Sequence, residues 1–247
     1  MLSTTSIFLQ CGHDRRFEIS RHQAGYAIVK DLTTNHYLRI SGKLLYLIDV
    51  CNQRELEHLC EELFKRNASH PRTSRTLFTR YIIKFDLPRR LQNVWIPNFF
   101  ASLRTISTII VLSLTLACVI YSTEPIEKTP FILTFIWLVI NITFHEIGHA
   151  MLCLHSGRAV MGLGVKLNYG IPMFFVNTDD ICMAHKHDRI ATSLGGVFAN
   201  GLLLLLLDLV ELAIGVFFYP LTMTSIGLVI GNLIPFFKLD GYYVCPL

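Results

Sequence analysis

Charged residues are scarce in this sequence of 247 residues. They make up 16% of the chain, whereas hydrophobic residues make up 52%. Soluble globular domains carry about 25% charged residues, so the composition excludes a single soluble domain. Most of the apolar excess follows residue 100, which predicts a membrane protein with a more polar N-terminal part.

The sequence also lacks paired cysteines and an N-terminal export signal. Its seven cysteines are scattered without paired spacing, which argues against a disulfide framework and against a thiolate zinc cluster: Cys11, Cys51, Cys60, Cys118, Cys153, Cys182 and Cys245. The first thirty residues contain no long apolar core followed by small residues, so a cleaved signal peptide is not predicted. We expect the N-terminus to stay in the cytosol.

Long apolar runs, which the first part of the chain lacks, dominate the second part. Residues 105–123 carry no charge and are long enough, at about 1.5 Å per residue, to cross a hydrocarbon layer of about 30 Å. A second run begins at Thr129 and Pro130 and continues into His145, and further runs cover about 194–219 and 221–237. The predicted fold class is a mainly α polytopic membrane protein with about four transmembrane helices.

Lysine and arginine are concentrated before Arg104 and between Arg158 and Arg189, whereas the short segment 123–129 has one lysine and two glutamates. Basic residues are enriched on the cytosolic side of membrane proteins. The bias predicts that residues 1–104, the long central loop and the C-terminus are cytosolic. We expect an integral protein of the bacterial inner or plasma membrane.

The sequence HEIGH, residues 145–149, stands within the second apolar run. Residues four apart share a face of an α-helix, so His145 and His149 can bind one Zn²⁺, while Glu146 can take a proton from a bound water. Zinc lowers the pKa of such a water from 15.7 to about 7. His145 lies about 15 residues, or roughly 23 Å, along a helix that enters from the outer face, which places the site near the cytosolic surface.

A catalytic zinc needs a third protein ligand, and there are two candidates. His155 follows His149 by six residues, but Leu152 stands where the extended histidine motif has glycine. On an unbroken helix His155 would point about 120° away from His149. Asp240, in NLIPFFKLDGYY, reaches the same membrane side by an independent route and is the stronger candidate.

HEIGH followed by NLIPFFKLDG resembles the site-2 protease family of intramembrane zinc metalloproteases. KLDGYY, YGIPMFFVNTDD and GGVFAN are similar to its branch of peptide zinc metalloproteases, found beside peptide export and modification systems; the resemblance covers about residues 130–243. It implies one Zn²⁺ held by His145, His149 and Asp240, catalysis by Glu146, and a role for Asn200 in steadying the oxyanion or the substrate strand.

The family usually continues with further transmembrane helices, whereas this sequence ends seven residues after Asp240. Three explanations of this difference are compatible with the sequence: a natural short form, a truncated gene and an incomplete sequence.

Between the two motifs, glycines separate short β-prone runs, which predicts a hairpin beside the site whose edge could bind an extended substrate. A solvated loop is favoured over a second metal site for Asp179, Asp180, His185 and His187. Asp208 and Glu211, one turn apart in an apolar helix, either face the bundle interior or are protonated.

Residues 1–90 are predicted to form a winged-helix-like α+β domain, with three strands (RFEIS, GYAIVKDL and NHYLRIS) followed by helices near 41–50, 52–66 and 74–87. This order is similar to the peptide chaperones of pyrroloquinoline quinone biosynthesis, also called RiPP recognition elements. That resemblance implies that a leader peptide adds to a sheet edge, expected near Tyr26–Lys30. A DNA-binding winged helix and a plain cytosolic cap remain alternatives. Residues 91–104 are predicted to be an interfacial connector and residues 105–247 the protease domain.

Together these patterns predict a membrane-embedded zinc metalloendopeptidase that acts near the cytosolic face, in maturation or export of a ribosomally made peptide. Expected partners are a peptide or membrane-protein substrate, the lipid bilayer and a peptide export transporter, with no nucleic acid. Two alternatives remain open. One is regulated intramembrane proteolysis of a membrane-anchored regulator, and the other is a non-proteolytic component of a peptide exporter.

Overall fold

The computed structural model describes residues 6–11, 15–22, 25–41, 46, 52–69, 79–85, 102–123, 130–168, 171–234 and 240. The chain divides into two compact units. The first is Met1–Phe78 together with Cys182–His185, and the second is Thr79–Ile181 together with Lys186–Leu247. The two units are described separately below.

The first unit contains an antiparallel sheet in the order β1-β2-β3-β4. Its strands are β1 (Ser6–Cys11), β2 (Arg15–His22), β3 (Tyr26–Asp31) and β4 (His36–Ser41). The last three correspond to the predicted strands. β1 was missed because its short apolar run does not alternate clearly between polar and apolar residues.

The predicted exposed edge near Tyr26–Lys30 is wrong. β3 pairs with β2 on one side and β4 on the other, and all six of its residues are buried. The consecutive apolar residues at its centre suit a strand covered on both faces. The outer strands of this sheet are β1 and β4.

Helix α1 (Gln53–Ser69) covers one face of the sheet. Its buried residues Leu56, Cys60 and Phe64 pack with a cluster from the strands that includes Phe17 and Ile19. A capping box stands at its start: Asn52 Oδ1 accepts from the Glu55 N–H at 3.0 Å, and Glu55 Oε2 accepts from the Asn52 N–H at 3.1 Å. The helix predicted near 41–50 lies outside the described residues except for Tyr46.

The helix predicted near 74–87 is wrong where the structure describes it. Thr79–Phe85 is a strand, β5, that pairs antiparallel with the later strand β6 (Gly162–Asn168). Adjacent β-branched residues in RYIIKF favour a strand once a partner is available. Because of this pairing β5 belongs to the second unit, and the structural division falls after Phe78 rather than near residue 90.

Among the described residues of the second unit, three helices are long and apolar enough to cross a membrane: α2 (Leu103–Thr123), α3 (Phe131–His155) and α4 (Lys186–Ile214). Helix α5 (Tyr219–Leu233) has 15 residues, or about 23 Å, which is short of the length that a span needs. The predicted count of four spans is therefore not confirmed. The protein is mostly helical, with a small N-terminal sheet, and its apolar helices fit a membrane protein.

Glycine brings α3 and α4 together. A Cβ added at Gly195 in α4 would lie 2.6 Å from the carbonyl oxygen of Gly148 in α3, so only glycine fits there. Small residues commonly allow such backbone approach between membrane helices. The crossing occurs one residue before His149 and therefore determines what surrounds the histidines.

The predicted hairpin is present. β6 pairs antiparallel with β7 (Ile171–Asn177), and β5-β6-β7 form a three-stranded sheet in that order. After β7 comes a 3₁₀ helix, Asp179–Met183. Helix α4, which contains the predicted third span, begins at Lys186, whereas that span was expected from about residue 194. Its first turns are polar but helical, and Asp188 lies near the N-terminus, where the helix dipole favours a negative charge.

Asp208 and Glu211 face the bundle interior, since both are fully buried in α4. Glu211 Oε1 accepts a hydrogen bond from the Phe218 N–H at 2.9 Å, and the hydroxyl of Thr222 lies 3.4 Å away. Phe218 is the N-cap of α5, so Glu211 satisfies one of the free amides at the start of that helix.

Candidate metal centre

Three side chains from two separate parts of the second unit meet at one place. His145 and His149 lie one turn apart in α3, and Asp240 follows α5. One ligand atom from each lies within 4.8 Å of the others. The structure therefore brings together the three residues that the two sequence motifs pointed to.

The distances among these atoms suit a metal ion. The two Nε2 atoms of His145 and His149 are 3.2 Å apart, and the Asp240 carboxylate lies 3.0 Å from the first and 3.3 Å from the second. In a tetrahedral zinc site with bonds of about 2.0–2.1 Å, neighbouring ligand atoms are about 3.3 Å apart. The donor set, two imidazoles and one carboxylate, is also one that catalytic zinc accepts.

Gly196 in α4 leaves the space beside these ligands. A Cβ there would lie 2.5 Å from Nε2 of His145 and 2.6 Å from Nε2 of His149. Both distances are far shorter than ordinary van der Waals contact, which is about 3.5 Å or more. A side chain at residue 196 would therefore collide with both imidazoles.

His149 has a defined tautomer. Its Nδ1 lies 2.7 Å from the backbone carbonyl oxygen of Thr192, which can only accept, so Nδ1 carries the proton. The lone pair of Nε2 is then available for a metal. Such a contact on the far side of the ring is typical of metal-binding histidines because it fixes both tautomer and orientation.

Asn200 stands behind the other histidine. Its amide nitrogen Nδ2 lies 3.1 Å from Nδ1 of His145, and its Oδ1 is buried without a hydrogen-bond partner among the described residues. Metal binding through Nε2 requires a proton on Nδ1, which Asn200 satisfies when its amide turns to present Oδ1. Asn200 therefore contacts the Nδ1 side of the His145 ring, away from Nε2, and the resemblance did not specify this contact.

Asp240 stays ionised at neutral pH. Burial would raise the pKa of its carboxyl group, but the contacts with His145 and His149 outweigh burial and lower the pKa to about 2. The carboxylate is therefore in the form that binds a metal.

Glu146 faces the hairpin. Its Oε2 accepts a hydrogen bond from the backbone N–H of Val176 in β7 at 2.9 Å. This contact places β7 beside the histidine motif, where the sequence predicted a hairpin.

Other candidate residues lie elsewhere. Within the described residues the group able to hold a metal contains Asp240 and not His155, which ends α3. Asp179 is exposed, but Asp180 is 2% exposed and accepts two hydrogen bonds from Arg158 at 3.0 Å and one from the Ala159 N–H at 2.9 Å. A solvated loop was therefore the wrong interpretation for Asp180, because an arginine 22 residues earlier pairs with it.

Sequence reasoning missed three contributors to the site. They are the carbonyl of Thr192, the absent side chain of Gly196 and the N–H of Val176. Thr192 and Val176 act through backbone atoms, so the type of residue at these positions does not indicate the contact. The GG pair in GGVFAN was a visible hint of close helix packing, but it did not reveal contact with the histidines.

Comparison with known proteins finds similarity to the Bacillus subtilis (strain 168) protein named "Putative peptide zinc metalloprotease protein YydH". The identity is 31% over 120 residues, which is 46% of this chain and 46% of that protein, so the chain spans about half the length of the relative that it matches. No protein-family model matches the chain, and no solved structure matches it. The similarity suggests a zinc metalloprotease role and supports the resemblance to peptide zinc metalloproteases.

Proposed function

We propose that this chain is a membrane-embedded zinc metalloendopeptidase. The observation that carries the proposal is the convergence of His145, His149 and Asp240 within 4.8 Å, with Glu146 adjacent in sequence to the first ligand. Two imidazoles, a carboxylate and a nearby glutamate are the parts of a water-activating hydrolytic site. The similarity to a protein named as a peptide zinc metalloprotease supports peptide bonds as the target.

Each residue has a specific task in this proposal. Zinc held by His145, His149 and Asp240 would polarise the peptide carbonyl and make water a nucleophile near neutral pH. Glu146 accepts the proton that the attacking water loses and delivers it to the leaving amine. Thr192 and Asn200 keep the two imidazoles turned so that each Nε2 faces the metal position.

The test compares the wild type with Glu146→Gln, both purified with zinc. The glutamine amide fills the same space but cannot accept the proton, so the variant should retain about one zinc per chain and lose cleavage. Fluorescently labelled casein and any short precursor peptide encoded beside the gene serve as substrates. Comparable turnover by the variant would remove Glu146 from the mechanism.

The proposed location is a bacterial inner or plasma membrane, with the site open to the cytosol. The support is the excess of lysine and arginine before Arg104 and between Arg158 and Arg189. Peptide bonds in a helix are protected, so a strand edge such as that of β7 would help to present an extended substrate.

The proposed substrate class is a ribosomally made peptide whose leader binds to the N-terminal unit. The outer strands β1 and β4 offer edges to which an extended leader could add. Tethering raises the local concentration of the cleavage point. Deleting residues 1–78 should therefore raise KM for a full precursor far more than for a short peptide that spans the cleavage site.

Equal effects on the two substrates would show that the N-terminal unit is a structural cap. Binding of duplex DNA by the intact chain, without binding of the leader, would instead favour a regulatory winged helix.

A further inference from the structure

The edge of β7 that points away from β6 lies beside the catalytic motif. β7 is the last strand in the order β5-β6-β7, and within the described residues its sheet partner is β6. The N–H of Val176 is donated to Glu146 Oε2 at 2.9 Å rather than to β6. This amide therefore points out of the sheet.

Strand geometry extends this assignment to one other amide. Val176 pairs with Leu163, and Phe174 pairs with Val165, two residues along in the same register. Antiparallel pairs alternate with a period of two, so the N–H of Phe174 points to the same edge as that of Val176. The next outward position, Pro172, has no N–H.

We infer that the backbone N–H of Val176 positions the carboxylate of Glu146 for catalysis, which makes Val176 a positioning residue in the reaction proposed above. The inference rests on that proposed function. A free glutamate side chain samples several rotamers. The contact with Val176 uses Oε2, so Oε1 is the oxygen left to take the proton from the attacking water.

β7 can position Glu146 only if the strand is itself fixed, and two contacts hold its end in place. The Met161 N–H donates to the carbonyl oxygen of Asn177 at 2.9 Å, next to Val176. Just outside the hairpin, Arg158 makes a two-pronged ion pair with Asp180. The first contact joins the chain before β6 to the last residue of β7, and the second joins it to the chain after β7, so together they close the base of the hairpin close to Val176.

The same contact limits how a substrate can pair with β7. Glu146 occupies the outward N–H of Val176, so an extended peptide on this edge finds its donor at Phe174 instead. The amide that binds the peptide, at Phe174, is therefore two residues away from the amide that holds Glu146, and this amide sets the register of the peptide. Loss of the Val176 donor should lower kcat, whereas loss of the Phe174 donor should raise KM.

Amide hydrogen exchange tests the contact without any substrate. The zinc-loaded full chain in detergent is compared with Glu146→Ala, with exchange resolved at single amides. The Val176 amide should exchange about 10- to 100-fold faster in the variant, because a hydrogen bond to a charged acceptor is lost, and the Phe174 amide should not change. Equal Val176 rates in the two proteins would overturn the inference.

Kinetics with labelled casein then test the catalytic consequence. Proline is tolerated on a strand where its missing N–H faces away from the sheet, so Val176→Pro and Phe174→Pro form a matched pair. Val176→Pro should lower kcat about 10-fold or more with zinc content unchanged, whereas Phe174→Pro should act on KM, which rises because the bound peptide loses a donor.

The outcomes separate the two proposals. If the wild type cleaves casein and zinc-loaded Val176→Pro has the same kcat, the positioning role is overturned and the proposed function stays intact. A zinc-loaded wild type that cleaves neither casein nor a precursor peptide overturns the proposed function, and the positioning role with it, even where exchange shows the contact.

Discussion

Replacing Gly196 by alanine should abolish tight zinc binding while leaving the fold in place. The added Cβ would lie 2.5 Å from Nε2 of His145 and 2.6 Å from Nε2 of His149, against an ordinary contact distance of about 3.5 Å. Both rings would have to move by about 1 Å. Zinc–nitrogen bonds are about 2.0–2.1 Å long and tolerate little change, so the two imidazoles could no longer bind one ion together.

The expected loss of affinity is about 100-fold or more. Changing a residue that merely supports a ligand typically costs 10–100-fold, and here both histidine ligands are displaced. Competition with a chelator of known zinc affinity measures the loss in purified protein. Alanine is intrinsically the better helix former, so helix propensity gives no reason for α4 to unfold.

Gly201→Ala in the same helix is the matched control. A Cβ at position 201 would meet Ile110 and Ser113 at 3.5 Å, an ordinary contact distance, and should leave zinc affinity unchanged. Wild-type zinc affinity in Gly196→Ala would refute the assignment of the metal position. Equal losses in both variants would show that alanine in α4 acts through helix packing rather than through the histidines.

Three further predictions concern support of the site and sidedness. Asn200→Ala should lower zinc affinity about 10–100-fold in the same chelator competition, because His145 loses the group beside its Nδ1, and unchanged affinity would make Asn200 irrelevant to the metal. Asp180→Ala should destabilise the protein by about 3–5 kcal/mol, seen as a lower Tm, because it breaks a buried ion pair with Arg158, and an unchanged Tm would contradict this. A cysteine at position 126 should be labelled from outside intact cells and one at position 186 only after permeabilisation, and outside labelling at 186 would reverse the proposed topology.

The three proposed metal ligands could be picked out from sequence because most of their signals are local. The spacing in HEIGH places His145 and His149 on one helix face wherever the helix lies. The choice of Asp240 as third ligand required a longer argument, namely that its segment ends on the same side of the membrane as the two histidines. The capping box at Asn52 and Glu55 was predictable for the same local reason.

The errors came from contacts between distant residues. The local pattern around TRYIIKF predicts a helix, but β6, about 80 positions later, gives this segment a strand partner. The sequence does not show that β3 is an inner strand, because the burial of a strand becomes clear only when its neighbours are known. Asp180 looked solvated because nothing in its vicinity announces the pairing with Arg158. Such partners are fixed by the fold, which local propensity does not encode.

Zinc content of the purified full chain tests the central claim most directly. The wild type and His155→Ala should each hold about one zinc per chain, because His145, His149 and Asp240 supply the ligands. Asp240→Ala should lose most of its zinc under the same dialysis, since one of three protein ligands is removed. Full retention by Asp240→Ala, together with loss in His155→Ala, would contradict the account and make His155 the third ligand.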